Sequence, residues 1–404
     1  MNAMGALLSV EDAQRKILER LEPLDAERVP IERAAGRVLA AEAVSSVDLP
    51  PFPSSAMDGF ALRAADTDAA PLDLPVVARI AAGSPATRPL SAGEAMAIST
   101  GGVVPDGADS VVPIEHVEVA DSRITVREAI SAGLNVRPRG GDVHAGTVVL
   151  DPGTRLGAAQ VGALAAAGIA EVRCTKRPRA GILVTGSELR RPGDELGPGQ
   201  IYESNGLLLA AALHSAGAVP AQLGVASDDP EELERALERA LLGFDMLVTS
   251  GGASVGPHDL VRATQERLRA EEVFWRVAIK PGKPVAFSMR RKHPIFNLPG
   301  NPVSVLVTFE LFVRPAVEAL LGVPDPLPRF LRGRLARSLR RNRERDEFVR
   351  ARTRHGDEEP ELEPLDGQES HMIAAAGRAD ALIAIGAGDG EIAAGESVHY
   401  LRLA

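Results

Sequence analysis

Cysteine is almost absent from this chain. Cys174 is its only thiol, which excludes a disulfide framework and a cysteine-based metal site and is compatible with a reducing cytosol. Aromatic residues are scarce at 3%, and the formal net charge is −10. Nonspecific nucleic-acid binding depends on cations that neutralise phosphates and on aromatic faces that stack on bases, so both shortages argue against it. No apolar run reaches the roughly 18 residues of a membrane span. Met1 to Glu11 lacks the basic stretch and apolar core of a signal peptide. His214, His258, His293 and His371 have no metal-ligand spacing with Cys or Glu, so zinc is not expected. No Ser-His-Asp constellation stands out.

Lysine is the most informative shortage. Lys16, Lys176, Lys280, Lys283 and Lys292 are the only five among 45 basic residues. Two of them stand three positions apart around a Pro-Gly, in Lys280-Pro281-Gly282-Lys283. Arginine presents a planar fork, whereas lysine is a compact point charge that can aim at a phosphate or a small tetrahedral oxyanion. In a chain that otherwise writes positive charge as arginine, this pair reads as an anion site rather than a solvated hairpin.

With 404 residues, several cores are expected rather than one. Residues 7–21 have helical period, with Ser9 as N-cap, and a second short helix is expected over 30–40. From about 41 to 143, short β-rich runs alternate with Gly, Pro and Asp turns. A small-residue helix follows over 156–167 and ends at Gly168. Residues 179–321 alternate strand-like and helical runs, including one helix over 303–320, which argues for a parallel doubly wound α/β sheet. Pro324, Pro326 and Pro328 mark a linker, and short strands return afterwards as a small β-barrel or sandwich. The expected fold class is therefore α/β multidomain: a doubly wound α/β domain, an all-β insertion and a C-terminal small β-barrel. The expected regions are 1–40 with 143–177 (a linking region, to which the resemblance described below also assigns dimerisation), 41–142, 178–326 and 327–404.

Ligands of open α/β sheets bind beyond the carboxyl ends of the strands. The loops there are polar or glycine-rich: Thr185-Gly186-Ser187-Glu188, Ser227-Asp228-Asp229, SGGASVG from Ser250 to Gly256, the Lys280/Lys283 loop, and NLPGNPVS from Asn297 to Ser304. Glycines let backbone N–H groups approach an anion closely. SGGASVG is neither a Walker A loop nor a GxGxxG fingerprint, so neither an ordinary ATPase nor an NAD enzyme is indicated. Asp229 precedes Pro230 and reads as an N-cap, which leaves Asp228 free for a metal or a hydroxyl. Asp259 reads either as a cap or as a ligand, and Asn301-Pro302 either as a plain helix start or as part of the site. Cys174 reads as a buried filler. In the β-rich segment, PPFPSSAMDGFA around Asp58, Thr100-Gly101-Gly102, and RPRGGD ending at Asp142 form a second set of loops suited to facing a partner surface.

These blocks resemble the molybdopterin molybdenumtransferases, the MoeA-type proteins and the equivalent domain of gephyrin. The matching motifs, in family order over about residues 50–372, are PPFPSSAMDGFA, STGGVVPDGADSVV, RPRGGDV, LVTGSEL, IYESN, SDDP, SGGASVGPHD, AIKPGKP, NLPGNPVS and GQESHM. Gly102, Val103 and Gly141 depart from the pattern at its periphery.

The resemblance implies a homodimer whose cleft is shared between subunits, and a reaction in which adenylylated molybdopterin and molybdate give molybdenum cofactor and AMP with Mg²⁺. It implies catalytic roles for Asp58, Thr100, Asp142, Glu188, Asp228, Lys280 and Lys283. Substrate binding would fall to Thr185, Gly186, Ser250, Gly251, Gly252, Ser254, Gly256, Pro299, Gly300, Asn301, Pro302, Ser304, Arg350 and Ser370. Asp228 and Asp259 would hold the magnesium. Lys280, Lys283, Ser304, Arg350 and Ser370 would cage the molybdate. Cytoplasmic residence and contact with the molybdopterin adenylyltransferase are further implications. Two competing readings are the adenylyltransferase step itself and a non-catalytic molybdopterin-binding scaffold.

Overall fold

The computed structural model describes residues 7–226, 229–251, 260–356 and 358–403. The chain divides into two compact units, one comprising the residues through Glu27, Gly36–Ala40 and Cys174–Ala404, the other Arg28–Ala35 and Ala41–Arg173. Among the described residues, no helix is long and apolar enough to cross a membrane.

The first unit contains a six-stranded sheet in the order Val219–Ala226, Arg179–Thr185, Met246–Ser250, His293–Leu298, Ala286–Arg290, Glu271–Trp275. The first four strands are parallel. The last two run antiparallel to their neighbours, so the parallel, doubly wound sheet expected from the sequence carries an antiparallel edge. The reason is connection length. Only Arg291 and Lys292 separate Ala286–Arg290 from His293–Leu298, with Arg291 at φ 56°, and parallel neighbours need a crossover of a dozen or more residues.

Alternate side chains of a strand face opposite sides, and here both faces are covered. Ile182, Val184, Val248, Phe296 and Leu298 pack with the helices Val10–Leu18 and Asn205–Ala216 and with the segment after Asn301. Leu183, Leu247 and Ile295 pack with Leu233, Leu237 and Leu241 of the helix Pro230–Gly243 and with Val261 and Leu268. The layering is the expected doubly wound arrangement.

The helix read as continuous over 303–320 is three pieces: Pro302–Thr308, a π turn Phe309–Val313, and Arg314–Leu320. Pro315 has no N–H to offer the carbonyl four residues back. That carbonyl, of Leu311, instead accepts from Gln14 Nε2 at 2.9 Å. The helix expected over 30–40 shrinks to a 3₁₀ turn at Ile31–Arg33. Val38 and Leu39 are extended instead: Thr175 N–H donates to the Val38 carbonyl at 2.9 Å, and Leu39 bridges Cys174.

The C-terminal strands close into a barrel. Asp346–Arg354 pairs with Glu361–Pro364, that strand with Phe330–Leu335, then Ser397–Arg402, then Ala381–Ile385, which returns to Asp346–Arg354. Val349, Leu362, Ile383 and Tyr400 are among the side chains that fill it. A short strand from the α/β part, Ile279–Lys280, joins its edge with Lys280 opposite Glu347.

The second unit is built around a six-stranded sheet, in which the strand Gly59–Leu62 lies between Ala95–Ile98 and the edge strand Ser110–Pro113. Its apolar residues form two clusters, around Phe60 and Leu74 and around Ile80 and Met96. The expected helix is present at Ala158–Ala166, with Gly168 at φ 73°.

Candidate active site

The parallel strands end in register. Thr185 pairs with Ala226, Val184 with Ser250, and Ser250 with Leu298, so the loops after Thr185, Ser250 and Leu298 emerge at one edge. They line a cavity of about 560 Å³ whose wall includes Thr185, Gly186, Glu188, Ser250 and Gly251, together with Pro299, Gly300 and Asn301. Glu188 is exposed, and its carboxylate folds back so closely that a Cβ on Gly186 would lie 2.7 Å from Glu188 Oε2. Among the described residues of this wall Glu188 is the one carboxylate, and a hard divalent cation takes one or two carboxylates plus phosphate oxygens from its substrate. Asp228, Gly252, Ser254, Gly256 and Asp259 lie outside the described residues. Asp229 is the N-cap expected of it: its Oδ1 accepts from the Glu231 and Glu232 N–H groups at 2.8 and 3.0 Å, and these bonds hold its carboxyl below the usual range.

A second cavity, of about 300 Å³, adjoins the first and shares Pro284, Pro299 and Asn301 with it. Lys280, Lys283, Ser304 and Ser370 line it, so four of the five residues expected to cage an oxyanion lie together. Gly282 makes the turn between the lysines at φ 114°, and a Cβ there would meet Thr308 Cγ2 at 2.6 Å. Lys280 Nζ lies 3.0 Å from Glu347 Oε1, with the lysine side chain 46% and the glutamate 17% exposed. The barrel carboxylate thus aims the first lysine. Asn301 precedes Pro302 at the start of its helix without a side-chain cap bond. Its Nδ2 donates to Ser370 Oγ at 2.8 Å, and the Val303 N–H donates to the Ser370 carbonyl at 3.1 Å. Asn301 therefore precedes the helix and also lines both cavities.

Arg350 departs from its expected position. It is 1% exposed and does not line the lysine cavity. Its Nη1 donates to the Met372 carbonyl at 3.0 Å, and its Nη2 to the Gly367 and Glu369 carbonyls at 2.8 and 3.2 Å. Burial lowers its pKa, opposed by the Glu369 carboxylate. The guanidinium is spent on folding the loop that presents Ser370, so its contribution is positional.

Glu347 was not singled out from the sequence, and neither were Arg345 and Asn205 on these walls. Arg345 lines the lysine cavity but sits in the run RRNRERDEF, where one more arginine carries no signal. Asn205 lines the larger cavity. Its motif, IYESN, was visible, but as the first residue of the helix Asn205–Ala216 it passes for a helix-start residue.

In the second unit, Asp58 and Thr100 meet. Asp58 precedes Gly59–Leu62, Thr100 follows Ala95–Ile98, and Gly59 is paired with Ile98. This register brings the Thr100 N–H to Asp58 Oδ1 at 2.7 Å, and both residues are exposed. Gly59 has no alternative, because a Cβ would overlap the Val112 carbonyl. Asp142 lies on a separate loop, where its N–H donates to the Leu49 carbonyl at 2.9 Å. Asp48 ties down that loop, accepting from the Ala145 N–H at 2.9 Å and from Arg139 Nε at 2.5 Å.

Comparison with known proteins gives the same picture across the chain. Residues 8–168 match the MoeA N-terminal region (domains I and II), 181–319 a probable molybdopterin-binding domain, and 332–403 the MoeA C-terminal region (domain IV). The chain is 37% identical over 352 residues to molybdopterin molybdenumtransferase 2 of Mycobacterium tuberculosis H37Rv, covering 85% of this chain and 87% of the relative. It is 34% identical over 396 residues to the molybdopterin molybdenumtransferase of Haemophilus influenzae, covering 97% and 98%. The crystal structure of the molybdopterin biosynthesis MoeA protein of Pyrococcus horikoshii OT3 superposes with a TM-score of 0.85 at 29% identity, covering 98% of this chain and all of that one. The motifs, the layered α/β edge joined to a closed barrel, and these likenesses agree: the chain belongs to the MoeA-type molybdopterin molybdenumtransferase family.

Proposed function

We propose that this protein transfers molybdenum from molybdate to adenylylated molybdopterin, releasing AMP. The observation that carries this reading is the adjacency of the two cavities across Pro284, Pro299 and Asn301. A phosphate-bearing substrate at the glycine-rich strand edge and a tetrahedral dianion between the lysines would be neighbours. Holding two reactants in one geometry is itself a large part of catalysis.

Lys280 and Lys283 supply positive charge for the molybdate, and Ser304 and Ser370 supply hydroxyls that fix its oxygens. As the phosphoanhydride breaks, negative charge grows on the departing phosphate, and preorganised cations and backbone donors stabilise it without having to reorganise. Mg²⁺ fits this chemistry by neutralising phosphate charge, with Asp228 and Asp259 as its proposed ligands and Glu188 as a further carboxylate of the site. Thr185, Gly186, Ser250, Gly251, Pro299 and Gly300 shape the wall against which the pterin-bearing substrate lies. We further infer a homodimer in which Asp58, Thr100 and Asp142 complete the partner's cleft, a cytoplasmic site of action, and delivery of the substrate by the adenylyltransferase of the preceding step.

The test is Lys283→Ala in an AMP-release assay. The variant keeps wild-type melting and loses molybdate-dependent release by at least about 100-fold, the scale of removing one preorganised charge from a transition state. Undiminished turnover would overturn the anion role of the lysine pair.

A further inference from the structure

The two lysines of the anion loop are not equivalent. Lys280 is paired with Glu347, whereas Lys283 makes no ion pair among the described residues. The wall of their cavity carries two carboxylates, Glu347 and Glu369. A carboxylate in that position repels an oxyanion, and Glu347 is mostly buried, where solvent screens the repulsion poorly. Its presence calls for an effect that offsets this cost.

The backbone fixes Glu347 beside Lys280. Ile279–Lys280 runs parallel to Asp346–Arg354, with Ile279 opposite Asp346 and Lys280 opposite Glu347. The Asp346 N–H donates to the Ala278 carbonyl at 2.9 Å. Ile279 and Phe348 are buried in one apolar cluster, so a slip of one residue along the barrel strand would draw Phe348 out of that core and turn Glu347 into it. Lys280 has no comparable restraint. Its side chain is nearly half exposed and sits on a flexible aliphatic stem, and among the described residues Glu347 is its one ion-pair partner. An ammonium has three N–H donors. Glu347 occupies one of them and leaves two for a ligand.

We propose that Glu347 is a positioning residue for the oxyanion: its carboxylate holds the Lys280 ammonium at the cavity wall with two donors free for the anion. This rests on the oxyanion reading of the cavity. A cation already in place need not be gathered from solvent when the anion arrives, and that gain outweighs the repulsion from Glu347 itself. Lys283 takes its position from the turn at Gly282 instead. Glu369 lines the same cavity but is paired with neither lysine, so it repels the anion without holding a cation for it. Charge counting and positioning therefore predict opposite signs. Removing either carboxylate makes the cavity more positive by one unit, which by field alone would tighten oxyanion binding in both cases.

The experiment is equilibrium dialysis of molybdate against the full chain, with bound molybdenum read by elemental analysis. The proteins are wild type, Glu347→Ala, Glu369→Ala, Lys280→Met and the Lys280→Met/Glu347→Ala double variant. Glu347→Ala is expected to weaken binding by about 10-fold, the scale of one charge-assisted hydrogen bond less the repulsion relieved. Glu369→Ala should bind at least as tightly as wild type. In the Lys280→Met background the sign reverses: with no lysine to hold, Glu347→Ala tightens binding. Glu347→Asp keeps the charge but withdraws its oxygens by one methylene, so it too should weaken binding, and it decides the matter if the alanine variant does not fold. Wild-type or tighter binding by Glu347→Ala, equal losses in Glu347→Ala and Glu369→Ala, or the same loss with and without Lys280 would each overturn the assignment. Wild-type protein that binds molybdate but releases no AMP would refute the transfer reaction instead, while the dialysis would still decide the role of Glu347.

Discussion

Gly282→Ala tests the geometry of the lysine loop most severely. Gly282 sits at φ 114°, and a Cβ there would approach Thr308 Cγ2 at 2.6 Å and Ile279 Cδ1 at 2.9 Å. Ile279 and Thr308 are both fully buried, so neither can swing into solvent. Holding a non-glycine residue in that backbone region costs about 1–3 kcal/mol, and forcing a methyl into a packed interior costs about another 1–3 kcal/mol. The expected loss is therefore roughly 2–6 kcal/mol if the loop keeps its shape. If the loop gives way, the cost falls and the lysine positions are lost instead, so molybdate KM rises. Trp275, the only tryptophan, belongs to the sheet of this unit through its pairing with Ala286, so urea unfolding followed by its fluorescence reports on the right region. Gly300→Ala is the control, because its Cβ would find only Gly251 Cα, at an ordinary 3.7 Å. Gly282→Ala with an unchanged urea midpoint and a wild-type molybdate KM would refute the reasoning.

Gln14→Leu leaves the Leu311 carbonyl without its side-chain donor. It should lower stability by about 1–3 kcal/mol in the same fluorescence-detected transition, whereas an unchanged midpoint would mean that the π turn satisfies itself. Asp48 supplies a pH test. The Ala145 N–H and then the Arg139 guanidinium hold its carboxyl below the usual carboxylate range. Its folded value is the lower one, so its stabilisation is present above about pH 4 and is lost as pH falls through the depressed folded value. Amides of the 139–147 loop should exchange slowly at pH 5 relative to their intrinsic rates and lose that protection as pH falls below the ordinary carboxylate range. Asp48→Asn should flatten this dependence, and persistence of the same profile in that variant would assign it to another group.

How much of this was legible in the sequence depends on the range of the interaction. Ser9 and Asp229 cap helices through bonds to residues two or three positions away, and such patterns can be read directly. The alternation of strand and helix gave the layers, and the rarity of lysine pointed to the Lys280/Lys283 loop. The antiparallel edge was legible too, because the four residues Arg290 to His293 cannot hold a crossover; the alternation of motifs simply outweighed that spacing. The broken helix followed from Pro315, but its compensation by Gln14 comes from the far end of the chain and left no local trace. The pairing of Asn301 with Ser370 and the pairing of Lys280 with Glu347 join the α/β edge to the barrel over long sequence separations. Arg350 shows the limit most clearly: a buried cation satisfied by three carbonyls has the same one-letter code as one that faces an anion. The bonds from Asn205 Nδ2 to Ser250 Oγ and to the Gly300 carbonyl belong to this class as well, since they join segments 45 and 95 residues apart.

The most direct test of the account is AMP release by the wild-type protein given adenylylated molybdopterin and Mg²⁺, with and without molybdate, together with assay of the product for its ability to activate a cofactor-free molybdoenzyme. The account predicts AMP release that depends on molybdate and a product that activates the enzyme. Tight substrate binding with no molybdate-dependent release would contradict it and would leave the two adjoining cavities as parts of a carrier.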